Sequence, residues 1–330
     1  MLIFLTLPIL HSSLYHPFHF INQVTVDPNR FFYSKNIVII MELELTGTKI
    51  PAKIRQMTRP EADIAIAWAA EEGWNPGLHD ADAFYQTDPK GFFAIDAGDQ
   101  MVGSVSLVRY GEDFMFGGLY IVHPDYRNQG IGRAMLEFVR KFSEGYNFGI
   151  DGVFAMQPVY QKSGFRFAYR NIRFEGTGGG IVDKSLTPLR EVPFPRILAY
   201  DSRFFPAVRE GFLKHFLYQP DCKGYASIEN GSLTGYGFIR KCFNGYKIGP
   251  LFAGNPVIAE KIYSALSAVA EGSPVFFDVP EPNTAGVTLA KAHEMKEVFG
   301  ILEKEYAAYR EKAAKAVSYT HLTLPTNREV

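Results

Sequence analysis

Residues 119–134 read Leu119-Tyr-Ile-Val-His-Pro-Asp-Tyr-Arg-Asn-Gln-Gly-Ile-Gly-Arg-Ala134, and this stretch decides the fold. It begins in Gly118 to Val122, a short, wholly apolar strand of the kind found at a sheet centre. It ends in Gly130 to Phe142, an amphipathic helix with Ile131, Met135, Phe138 and Val139 on one side. A strand that turns through such a loop into a helix leaves the first helical N–H groups unpartnered, at the positive end of the dipole. Gly130 and Gly132 remove side chains where a backbone must approach a ligand. The product is an anion cradle suited to a pyrophosphate. The stretch lacks the GK[ST] ending of a Walker A loop and does not fit G-x-G-x-x-G. Alone, such a start also serves as a tight turn.

Moving outward, Ile54 to Met57 reads as a strand and Glu61 to Glu72 as a helix broken by Gly73 and Pro76. Gly91 to Asp96 and Met101 to Tyr110 form a hairpin around Gly98-Asp99. Gly152 to Met156 is read as a strand, Pro158 to Ser163 as a short helix and Phe165 to Phe174 as a strand. Residues 176–195 are rich in Gly and Pro and form a linker. The order then recurs. Phe194 to Leu217 is helical in two pieces, Gly224 to Ile228 and Leu233 to Ile239 are a hairpin, and Tyr246 to Phe252 is a strand. Val257 to Ala270 is a helix, Val275 to Val279 a strand and Thr284 to Met295 a helix. Hairpin, strand, helix, strand, helix occurs twice, which predicts a tandem duplication.

The chain has 330 residues, a formal net charge of -1 and 47% hydrophobic residues, a globular composition that excludes whole-chain disorder. The neutral balance argues against a nucleic-acid partner, and no apolar run is long enough to span a bilayer. Cys222 and Cys242, the two cysteines, build neither a disulfide framework nor a four-ligand metal site, so no metal is expected and a reducing, cytoplasmic setting fits. Residues 1–40 lack the charged start and cleavage site of a secretory signal, and are expected to be a misassigned or non-native leader before Met41. In the tail, 301–330, Glu303 to Lys315 reads as a charged helix, and Val317 to Val330 resembles translated adapter sequence.

The order Val122-His123-Pro124-Asp125-Tyr126-Arg127-Asn128-Gln129-Gly130-Ile131-Gly132 resembles the acyl-CoA-binding motif of the GNAT superfamily of N-acetyltransferases. Tyr160-Gln161-Lys162-Ser163-Gly164-Phe165, 33 residues after Arg127, resembles the Y-x-x-x-G-F that follows the fifth strand in those enzymes. The wider run is similar to a tandem type, carried by Glu72-Gly73-Trp74-Asn75-Pro76-Gly77, Gly249-Pro250-Leu251-Phe252 and Asp278-Val279-Pro280-Glu281-Pro282-Asn283. The resemblance implies an α/β (α+β) chain of two GNAT-like domains, each a mixed, mostly antiparallel sheet with flanking helices. The catalytic domain is expected at 41–175 and a degenerate one at 196–300. It implies a splayed central strand pair in the first, no membrane partner, and acetyl-CoA as co-substrate.

Position by position, the resemblance implies that backbone groups of Tyr120 to Val122, through Ile121, bond the acetyl and pantetheine portions, and that an N–H near Tyr120 polarises the thioester carbonyl. Arg127, Asn128, Gln129, Gly130, Ile131, Gly132 and Arg133 would hold the pyrophosphate. Tyr160 matches the tyrosine that can protonate the leaving thiolate; packing on the pantetheine is its other reading. Glu71, Glu72 and Asp80 border the expected acceptor site, with Glu72 the first choice of general base; His79 and His123 are alternatives. The second half has Ala253-Gly254-Asn255-Pro256 in place of the loop motif and is expected to bind acetyl-CoA poorly.

Charge agrees with this reading. Arg127 to Arg173 holds eight Lys/Arg and three Asp/Glu, a basic rim for the phosphates of coenzyme A. Pro51 to Gln100 holds four Lys/Arg and nine Asp/Glu. That acidic wall suits a cationic amine, and equally a solvated face. The expected activity is N-acetyl transfer to a primary amine of a small molecule by direct attack. No cysteine in the first half could form an acyl-enzyme. The rival is a non-catalytic acyl-CoA sensor.

Overall fold

The computed structural model describes residues 2–7, 38–45, 48–153, 156–298 and 322–323. The first half opens with strands β1 (Leu2–Leu7), β2 (Val38–Leu45) and β3 (Thr48–Gln56). Helix α1 (Arg59–Glu71) starts at a capping box in which the Thr58 N–H donates to the Glu61 carboxylate at 2.7 Å. Helix α2 (Asp80–Thr87), strands β4 (Phe92–Ala97), β5 (Gln100–Tyr110) and β6 (Phe114–Val122), and helix α3 (Ile131–Phe142) follow. Strand β7 (Asn147–Gly152), helix α4 (Gln157–Lys162) and strand β8 (Arg166–Thr177) close the half.

The second half holds β9 (Leu186–Pro188), α5 (Phe194–Asp201), α6 (Glu210–Phe216), β10 (Cys222–Glu229), β11 (Ser232–Lys241) and β12 (Tyr246–Ala253). Then come α7 (Pro256–Ser267), β13 (Pro274–Pro280), α8 (Thr284–Ala292), β14 (Lys296–Glu297) and β15 (Leu322–Thr323).

Each half is mixed α/β, and the two sheets are continuous. Among the described residues a 15-stranded sheet runs β2-β3-β4-β5-β6-β7-β1-β8-β13-β12-β11-β10-β9, with β14 beside β8 and β15 beside β12 off this path. The join is β8 against β13, antiparallel, with Arg173 directly opposite Asp278. Neighbours are antiparallel except β6 with β7, β12 with β13 and β12 with β15. The backbone of β1 lies between β7 and β8, antiparallel to both.

Three cores follow from this sheet. One packs α3 against the first half, with Phe93, Leu107, Met115, Met135 and Phe148 buried. A second packs the second half around Ile248, Ile262 and Phe277. The third joins Phe92, Tyr110 and Phe114 of the first half to Phe212, Phe216 and Phe238 of the second. Phe84 of α2 stacks on Phe212 of α6 with ring centroids 5.5 Å apart. The second half therefore covers the face of the first sheet that carries α1 and α2.

Several elements depart from the sequence reading: strands β1, β2 and β9 were not expected, and the end of β8 and all of β9 lie in the stretch read as a linker. The strand expected at Gly152 to Met156 is β7 at Asn147–Gly152. Asn147, Gly149 and Asp151 lie on the other face of the strand from Phe148 and Ile150, so only those two carry an apolar signal. Helix α2 was not expected, because Asp80-Ala-Asp-Ala carries little apolar periodicity. The helix expected at Glu303 to Lys315 lies outside the described residues, as does most of 1–40 and 317–330.

Candidate active site

The site forms where β6 and β7 part. Their parallel rungs run only from Phe114↔Asn147 to Gly117↔Ile150, although β6 continues to Val122. At the fork, Leu119 takes a left-handed φ of 48° and the β5–β6 register shifts. This is a bulge, and the Ser104 hydroxyl fixes it by donating to the Leu119 carbonyl at 2.7 Å. Beyond the bulge the His123 N–H donates to the Val102 carbonyl, so residues 121 and 123 face β5. By strand alternation the N–H and C=O of Tyr120 and Val122 point into the gap. Ile121, buried, pairs with Ser104 of β5.

The Asn128–Arg133 segment stands at the start of α3. Asn128 (φ 63°) and Gly130 (φ 87°) are left-handed, and no side chain caps the helix. The two glycines differ in what they do. Gly130 is set by its φ. A Cβ on Gly132 would find its nearest atoms, Tyr120 Oη and Val122 Cγ2, at an ordinary 3.8 Å. Packing within the chain thus leaves Gly132 free to be larger. Gln129 donates from its side chain to the Asp125 carbonyl at 3.0 Å, while Asn128, Gly130 and Arg133 are exposed. Ile131 is buried and anchors the helix in the core.

Two tyrosines sit on the α3 side of the fork. Tyr120 donates its hydroxyl to the Gly132 carbonyl, tying the strand to the helix start. Burial, with Tyr160 nearby, raises its pKa. The Tyr160 ring lies against the end of β7, where a Cβ on Gly152 would come within 2.6 Å of it. Burial pushes its pKa up to about 12, so the phenol holds its proton at neutral pH.

The structure brings Glu72 and Arg127 together. The Arg127 guanidinium donates to the Glu72 carboxylate and, through Nε, to the Val122 carbonyl at 2.9 Å. A residue read as a base and one read as a phosphate ligand thus join the loop to the end of α1. Asp80 is buried in a bidentate pair with Arg240, at 2.7 and 3.0 Å, and also accepts from the Gly77 N–H. Glu71 is exposed. His79 lies 3.0 Å from Asp221 of the second half, and His123 sits edge-on to Trp68.

The second half stitches down the loop between α1 and α2. Leu78 N–H donates to Lys241, Phe243 N–H to Pro76, and Asn75 exchanges hydrogen bonds with Asn244. Buried Lys247 donates to the carbonyls of Asn75 at 2.7 Å and Trp74 at 3.3 Å, and Arg173 also donates to Trp74. Burial, with Arg173 beside it, lowers the Lys247 ammonium to about 7. The second half's own helix start is closed. Asn255 caps α7 by accepting from the Ile258 N–H at 2.9 Å, and Pro256 has no N–H to offer.

Comparison with known proteins fits this geometry. Residues 88–167 and residues 197–308 each match a family model described as an acetyltransferase (GNAT) domain. The chain carries two GNAT domains in tandem. Holothin acyltransferase of Pseudoalteromonas sp. (strain SANK 73390) is 26% identical over 79% of this chain and 88% of its own length. A Pyrococcus horikoshii protein designated an acetyltransferase superposes with a TM-score of 0.63, at 19% identity, over 89% of this chain and 98% of its own. A tandem GNAT protein from the clavulanic acid biosynthesis pathway gives a TM-score of 0.51 at 15% identity, over 74% of this chain and 95% of its own. The two superpositions establish the GNAT fold.

Among the described residues no helix is long and apolar enough to cross a membrane, and no group of three or more His, Cys, Asp or Glu could hold a metal ion.

Proposed function

We propose that the first GNAT half takes acetyl-CoA into the fork between β6 and β7 and passes the acetyl group directly to a primary amine of a small molecule. The observation that carries this reading is the coincidence of a strand fork with an uncapped, glycine-opened helix start. The pantetheine arm pairs with the gap-facing N–H and C=O of Tyr120 and with the N–H of Val122, whose carbonyl is held by Arg127, and the amides of 128–133 hold the pyrophosphate. An N–H at the Leu119–Tyr120 bulge receives the developing oxyanion. Tyr160, neutral and buried beside the fork, gives its proton to the leaving thiolate.

Glu72 positions the loop through Arg127. The second half covers the acceptor face, which favours a small acceptor over a protein tail. Its capped α7 makes it a support with no co-substrate of its own. The relative named for holothin supports acyl transfer as the reaction class. Two free cysteines suit a reducing, cytoplasmic compartment.

The test is a panel of amines assayed by free-thiol release, alongside calorimetry with acetyl-CoA. The reading expects saturable acetyl-CoA binding and thiol release that depends on the amine. Binding without transfer to any amine would favour a sensor; absence of binding would remove the reading.

A further inference from the structure

A primary amine is protonated at neutral pH and must lose a proton before it attacks a thioester. This inference rests on the reading proposed above. Two of the sequence candidates for that task are engaged, Glu72 by Arg127 and Asp80 by Arg240. A third carboxylate occupies the fork itself. Asp151 directly follows Ile150, the last β7 residue paired with β6. Phe148 and Ile150 pack in the α3 core and Gly152 lies under Tyr160. Strand alternation turns Asp151 to the opposite face, the one covered by the loop at Trp74.

The surroundings of Asp151 are polar and incompletely satisfied. Asn171 on β8, 3% exposed, donates its amide to the Asp151 carboxylate at 3.5 Å. The Asn171 side-chain oxygen is buried and has no hydrogen-bond partner among the described residues. An orphaned acceptor beside a carboxylate is a site lacking donors, and an ammonium group supplies up to three. The charged and titratable groups around Asp151 are Asp278 on β13 and Arg173 and Tyr169 on β8, with the backbone of β1 between β7 and β8. Lys247 on β12 stands farther along the same row and faces the carbonyls of Trp74 and Asn75. Burial, reinforced by Asp278 and opposed by Arg173, holds the Asp151 carboxyl well above the ordinary carboxylate range. That shift brings its proton affinity nearer to neutral pH, where a base is most effective.

We propose that Asp151 receives the acceptor's proton, meeting the ammonium on the face of the sheet opposite Tyr160, with Asn171 holding a second N–H. The ammonium loses one proton to Asp151, which returns it to water. The freed nitrogen pair forms the C–N bond and the C–S bond breaks. Nitrogen loses its second proton to water, and Tyr160, having given its proton to sulfur, takes one back from water, so these two transfers cancel. One amide, one thiol and one released proton result.

The experiment uses the full chain, n-butylamine, which is protonated at neutral pH, and methoxyamine, which is not. Asp151→Asn should lower kcat for n-butylamine by about a hundredfold, leave methoxyamine within about threefold, and leave acetyl-CoA affinity unchanged. Asp151→Glu should recover part of the n-butylamine rate. The binding arm also reports folding. Equal losses with both amines, or no loss with either, overturn the assignment. So does a wild type that binds acetyl-CoA yet acylates neither amine. A wild type that fails to bind acetyl-CoA overturns the underlying reading instead, which separates the two failures.

Discussion

The pair Asp80–Arg240 spans 160 residues of sequence and ties the start of α2 to β11. Both side chains are nearly solvent-free, at 3% and 1% exposure. Arg240→Met keeps an apolar stem but removes both charge-assisted donors and the guanidinium that lies over the Phe216 ring. Asp80 would retain only the Gly77 N–H, at 2.8 Å. A buried charge stripped of its partner costs about 3–5 kcal/mol, a large share of the roughly 5–15 kcal/mol that holds a typical domain folded. Replacing both, as Asp80→Leu with Arg240→Met, removes the uncompensated charge. The double variant then mainly loses the Gly77 hydrogen bond, about 1–2 kcal/mol. Urea unfolding measures both, and the shared core predicts a single transition for the two halves. The loop at Trp74–Gly77 should loosen as well, raising KM for the amine more than it lowers kcat. A cost below about 1 kcal/mol for Arg240→Met, or a double variant no better than the single, would refute the reasoning.

Gly132→Ala should fold as well as the wild type, because the added methyl meets only ordinary contacts; calorimetry should show weakened acetyl-CoA binding all the same. Gly130→Ala should lose about 1 kcal/mol of stability in urea titrations, since its φ of 87° is costly with a side chain. Tyr160→Phe should lower kcat by at least about tenfold with acetyl-CoA affinity unchanged; an unchanged kcat would eliminate it as the acid. Lys247 carries a folded pKa lowered from 10.5 to about 7. Between those values the unfolded chain binds more protons, so its contribution makes stability rise with pH. Unfolding titrations at several pH values should show this rise in the wild type and a flatter profile in Lys247→Met.

The strand end and the glycine-opened helix start were legible in the sequence because their signal is local. The run from Val122 to Gly132 specifies a strand end, a turn and a helix start in one stretch, and Tyr160 follows at a fixed distance. Contacts between distant residues were not legible. Glu72 looked free because Arg127 lies 55 residues away, and Asp80 looked like a site carboxylate because Arg240 lies in the other half. Asp151 was hidden for a related reason. It stands in a glycine-rich strand whose neighbours do not alternate clearly, and its environment comes from Asn171, Arg173 and Asp278. The order of elements revealed two similar halves, but not that β8 and β13 would join them in one sheet.

Hydrogen exchange at single-residue resolution, with and without acetyl-CoA, tests the central claim most directly. The amides of Tyr120, Val122 and Gln129 to Arg133 should become strongly protected when the ligand is added, while those at the capped start of α7 stay unchanged. Protection confined to other regions, or appearing at α7 in place of α3, would contradict it.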